Sequence, residues 1–159
     1  MQRVISCAIA ALFITLSAAS VAGAATADDA IKYRHAVMEE MASHMSALTL
    51  ILFDKVDGAA AYAQGHADAL ARASAELEIL FPEVSRDGDT HALPVIWDNP
   101  DKFSAAVAKA KSKSADLQAA IGGDDRQATL AAMAAAGKAC KACHEAYRAE
   151  EDDSDSHSH

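Results

Sequence analysis

The chain has 159 residues, with 14 Lys and Arg against 23 Asp and Glu and a formal net charge of −9. That acidic balance argues against nucleic acid and anionic membrane surfaces as partners, because both favour Lys/Arg-rich proteins. The length suits one domain with one core, and the charge would steer an electropositive partner towards it.

Met1 to Arg3 carries one positive charge, and an apolar run follows from Val4 to Leu16. Small residues then lead to Ala22-Gly23-Ala24 and Ala25-Thr26-Ala27. This pattern predicts a cleaved secretory signal over residues 1–27, cut after Ala24 or Ala27, and hence a periplasmic protein. The run is shorter than the roughly 20 residues that span a bilayer, so no stable membrane anchor is expected. Cys7 lies near the start of that run and leaves with the signal. Arg3 leaves too, taking the net charge from −9 to −10. Cys140 and Cys143 are then the only cysteines of the mature chain, too close in sequence for a long-range disulfide framework.

The region from 28 to 149 is Ala-rich, with three prolines and apolar positions at helical spacing. A first helix is predicted over 28–55, with Ile31, Met38, Met41, Met45, Leu48 and Leu52 on one seam and Arg34 on the same track. Asp28 and Asp29 suit its positive N-terminal end. Asp57-Gly58 breaks the pattern. A second helix is expected over 59–80, aligning Tyr62, His66, Ala69, Ala73, Leu77 and Leu80 until Pro82 stops it. All three prolines fall between Pro82 and Pro100, which marks the long connection. Ile96 and Trp97 are expected to pack inward from it.

A third helix follows over 101–121, with Phe103, Val107, Ala110, Leu117 and Ile121 inward, and Gly122-Gly123 ends it. The fourth starts at Asp124 or Asp125 and carries Leu130, Met133, Gly137, Cys140, His144 and Tyr147 at intervals of three and four. Residues 150–159 form an acidic tail, predicted disordered, with His157 and His159 as weak metal-binding candidates. Four amphipathic helices with one long connection specify an all-α, antiparallel four-helix bundle.

The fourth helix holds the chemistry. Cys140-Lys141-Ala142-Cys143-His144 is the attachment signature of a c-type haem. Two thiols three residues apart can form thioethers to the two vinyl groups of one porphyrin, and the adjacent imidazole can reach the iron. Thiol-disulfide enzymes and zinc sites also use Cys-x-x-Cys, but the chain has neither a βαβ pattern nor a second ligand pair at finger spacing. Cys140 and His144, four apart, project together, and Cys143 lies at the edge of the same face. Gly137, one turn earlier, leaves room for the ring or for a neighbouring helix. His35 points roughly 100° away from Arg34 around the first helix, and His44 precedes the inward Met45; both are expected to be satisfied or solvated. His66 is expected to pack as a neutral imidazole.

Over essentially all of 28–149 the chain resembles the class II c-type cytochromes, the family of cytochrome c′ and its low-spin relatives. Gly137 to Arg148, Ile31 to Met38 and the stretch from Trp97 to Phe103 carry that resemblance. It implies one covalent haem c, with thioethers at Cys140 and Cys143 and proximal ligation by His144. It places Arg148 near the proximal imidazole and Arg34 near a haem propionate. Met38 stands where high-spin members present a non-ligating residue over the iron and low-spin members a ligating Met.

The leading expectation is a periplasmic one-electron carrier with His144 and Met38 as axial ligands, redox partner proteins and no bond-making activity. The alternative is a high-spin, five-coordinate cytochrome c′ that binds nitric oxide or carbon monoxide, with Met38 packed beside the iron. A thiol-disulfide oxidoreductase using the two cysteines is the reading from the enzyme class. Ala59, Ala60, Ala61, Ala63 and Gly65 would permit a close homodimer contact through the first two helices, or serve only as helix formers.

Overall fold

A computed structural model describes residues 26–150 of the chain; most of the expected signal segment and the expected tail after Glu150 lie outside the described residues. Four long helices form the body: α1 (Ala27–Leu52), α2 (Ala63–Ala75), α3 (Pro100–Ile121) and α4 (Arg126–Tyr147). The described residues contain no β-strand, and the fold is the expected all-α four-helix bundle.

Local chemistry sets the helix ends. Thr26 caps α1: its hydroxyl accepts from the Asp29 amide at 3.1 Å and donates to the Asp29 carboxylate at 2.6 Å. The helix stops at Leu52, three residues before the expected end, because Asp54 adopts a left-handed φ of 54°. The amides of Asp54 and Lys55 then turn back to the carbonyls of Ile51 and Leu50. That is a Schellman closure with Asp in the position Gly usually takes. Gly58, at φ 74°, reverses the chain into a 3-10 turn at Ala59–Tyr62. The expected helix over 59–80 is thus α2 flanked by 3-10 turns, the second at Glu76–Glu78. Tyr62 lies on the first of these tighter turns and is 69% exposed instead of inward. Pro100 opens α3, and the Asp125 carboxylate caps α4 through the Ala128 amide at 3.0 Å.

α1 packs on α2, α2 on α3 and α3 on α4, around a core that includes Leu48, Leu70, Leu80 and Leu117. α4 closes the ring against α1 only lightly. On α4 the buried row is Thr129, Met133, Ala136 and Ala139, one position ahead of the expected row at most points. Leu130, Gly137 and Cys140 are therefore half-buried. On α1, Val37 and Ile51 join Ile31, Met41 and Leu48 in the core, whereas Met38, Met45 and Leu52 are half-buried. Both helices turn their small and core-filling residues towards the nearest neighbours, leaving the flanking row on the open α1–α4 seam.

The connection is ordered by specific contacts. Val95–Asp98 forms a single helical turn that buries Ile96. Trp97 is half-buried, and its indole N–H donates to the Phe81 carbonyl at 3.1 Å. The Leu93 amide donates to Tyr147 O at 2.9 Å and the Ala149 amide to His91 O at 2.8 Å, tying the connection to the end of α4.

Candidate functional site

Where α1 and α4 part, a cavity of about 420 Å³ opens between them. Arg34, Met38 and Ala42, each one turn apart, form its α1 wall, with His35 and Glu39 at the edge of that helix. Cys143, His144, Tyr147 and Arg148 form the α4 wall. Phe81, Thr90, His91 and Ile96 of the connection, with Phe103 of α3, close the end. Phe81, Phe103 and Tyr147 pack edge to face, their centroids 4.8 and 5.1 Å apart, and make that end rigid and apolar.

Cys140 and Cys143 are free, half-buried thiols, and burial pushes both pKa values up, Cys140 adding to the effect on Cys143. The His144 pKa is lowered, first by burial and then by the Arg148 cation, a shift in the direction of the neutral imidazole that an iron ligand must be. Its side chain is nevertheless exposed, since it borders the cavity.

Arg34 is 3% exposed. Its guanidinium donates to the Leu80 carbonyl at 3.2 Å, the Ser85 hydroxyl at 3.1 Å and the Thr90 hydroxyl at 2.8 Å, and lies 4.8 Å from the Phe81 ring centre. All of these partners are uncharged. A buried cation without a carboxylate is costly, and desolvation accordingly lowers its pKa. An acidic group entering the cavity would supply the missing charge.

Met38 lines the cavity, whereas Met41 is 7% exposed within the core. His44 and His66 contact one another and do not line the cavity. A Cβ at Gly137 would meet only the Met45 methyl, at 4.0 Å, an ordinary contact. The sequence reading did not single out Phe81, Ser85, Thr90 or His91 for the site. They come from the connection, whose path no periodicity encodes. The buried charge of Arg34 was the one available signal that something must fold over it. His35, expected to be satisfied or solvated, is exposed at the cavity edge.

The free Cys143 thiol and the His144 imidazole on one wall, the free Cys140 thiol one turn back on the same helix though not lining the cavity, an apolar end and a buried cation fit a covalently tethered, acid-bearing macrocycle. A helical bundle with such a site is a c-type cytochrome by class. The family model for cytochrome c′ matches residues 29–148. A curated relative, cytochrome c-554 of Cereibacter sphaeroides, is 36% identical over 126 residues, which cover 73% of this chain and 81% of that protein. The solved cytochrome c prime of Shewanella frigidimarina superposes with a TM-score of 0.75 at 30% identity, covering 80% of this chain and all of that one. A nitric oxide complex of a single-site variant of cytochrome c prime from Alcaligenes xylosoxidans gives 0.72 at 30% identity, covering 79% and 98%. The chain belongs to the cytochrome c′ family, and its cofactor is haem c. Among the described residues, no helix is long and apolar enough to cross a membrane.

Proposed function

We propose that this protein is a periplasmic cytochrome c′ whose iron keeps one coordination position for a diatomic gas, nitric oxide or carbon monoxide. The observation that carries this reading is the likeness, over 79% of this chain, to a cytochrome c prime solved as a nitric oxide complex. Bound haem c supplies an iron that takes a gas or exchanges one electron. Cys140 and Cys143 would tether it, and His144 would hold it from the α4 side. Arg34, anchored by its hydrogen bonds to the connection, would offer its charge to an acidic group of the cofactor. Arg148 sets the charge beside the imidazole. On the α1 side Met38 and Ala42 would form an apolar wall beside which a small neutral molecule could bind. No residue of the site is assigned a bond-making step.

A second reading has one observation in its favour: Met38 is the one methionine among the cavity-lining residues. A thioether bonded to iron would close the site, raise the reduction potential and make the protein a one-electron carrier serving electropositive redox partners. Absorption and electron paramagnetic resonance spectra of the ferric holoprotein separate the two. High-spin iron, unchanged in Met38→Ala, with rapid carbon monoxide binding to the ferrous form, is expected for the gas-binding protein. Low-spin iron that becomes high-spin in Met38→Ala overturns it in favour of the carrier. Mass spectrometry of holoprotein with Cys140→Ala or Cys143→Ala tests the tether residue by residue.

A further inference from the structure

Away from the cavity, His44 of α1 and His66 of α2 face each other with their Nδ1 atoms 3.0 Å apart. The ring centres are 5.3 Å apart and the planes are inclined at 54°. Both residues are half-buried, so water and small ions reach the pair. The Glu40 carboxylate lies 3.8 Å from His44 Nε2, one turn back on α1. A carboxylate there favours the tautomer with the proton on Nε2, which turns the His44 Nδ1 lone pair towards His66.

We infer that His44 and His66 form a two-imidazole binding site for a divalent transition metal of tetragonal preference, cupric ion foremost, which clips α1 to α2. The spacing suits this metal class once each ring turns to bring its Nδ1 lone pair off the N–N line and onto the ion. Two nitrogens 3.0 Å apart, each about 2.0–2.1 Å from one cation, subtend an angle of about 90–100° at it. That is the angle between neighbouring positions of a square-planar or tetragonal centre, whereas a tetrahedral ion would hold them about 3.4 Å apart. Copper(II) and nickel(II) prefer the former geometry, and copper(II) binds nitrogen donors most tightly in the first-row series. When the ion enters, the proton between the two nitrogens passes through solvent to His66 Nε2. Both imidazoles stay neutral and each gives Nδ1 to the metal. The described residues contain no cluster of three or more His, Cys, Asp or Glu around it, so water fills the remaining positions.

The test uses full-length holoprotein in which His157→Ala and His159→Ala remove the tail imidazoles. Cupric ion is titrated and followed by electron paramagnetic resonance at low temperature. One tight equivalent with nitrogen coupling from two imidazoles is expected, with a rise in Tm as the ion bridges the helices. Adding His66→Ala should weaken binding at least tenfold and leave one imidazole coupling, while the haem spectrum is unchanged. Affinity within twofold of the parent in that variant overturns the site, as does coupling from one imidazole or none in the parent itself. His44→Gln serves as the second variant should His66→Ala fail to fold, with the same tenfold loss expected and the same twofold limit against it.

Discussion

Arg34 does two jobs from one position. It donates three hydrogen bonds that fasten the connection to α1, and it holds a positive charge against the cavity. Replacing it by Met keeps the bulk and removes both. Denaturant unfolding of Arg34→Met holoprotein should show a loss of about 3 kcal/mol, the scale of removing a buried, multiply bonded charged donor. The reduction potential should fall, because the ferric state is stabilised when a nearby cation is lost; an unchanged potential would place the guanidinium away from the ring. Two glycines should respond oppositely. A Cβ at Gly88 would run into the Ile31 Cδ1 methyl, a flexible tip on a buried side chain. Gly88→Ala should therefore cost about 1–2 kcal/mol as Ile31 is displaced. Gly137→Ala should gain about 0.5–1 kcal/mol from helix propensity, since only the Met45 methyl is near; a loss would mean that the ring itself needs the space.

Among the elements, the start of α1 bears on processing. Thr26 supplies the cap and Asp29 answers it, so cutting after Ala27 would remove the cap whereas cutting after Ala24 keeps it. N-terminal sequencing of exported protein should begin at Ala25, and Thr26→Ala should cost about 1 kcal/mol. The early end of α1 shows what periodicity misses. The apolar pattern continues past Leu52, but backbone turning at Asp54 overrides it, and no residue there is Gly or Pro. Met38 illustrates the same limit at the seam. Its spacing put it on the inward face, yet its neighbour Val37 takes the core and Met38 the cavity. A difference of 100° around a helix decides between core filler and candidate ligand, and sequence spacing does not resolve it.

For the whole molecule, the light α1–α4 contact means that the cofactor belongs to the packing as well as the chemistry. A chain carrying Cys140→Ala and Cys143→Ala, and so unable to retain haem covalently, should lose near-ultraviolet circular dichroism and unfold with a smaller denaturant m-value, while keeping most of its helical signal. A fully cooperative, native-like transition in that chain would show that the bundle closes without the ring.

Sequence alone determined the helical class, the common face of Cys140 and His144 with Cys143 at its edge, and the shared track of Arg34 and Met38 on the first helix. Each rests on spacing along one helix, and helix geometry converts spacing directly into direction. Tertiary structure decided what those side chains face. The partners of Arg34 lie 46 to 56 residues away in a connection with no periodic pattern. The His44–His66 pairing joins two helices whose relative rotation depends on how Ala63, Ala67 and Leu70 pack. Direction along a helix is local, but what fills the space ahead of a side chain depends on where the rest of the chain returns.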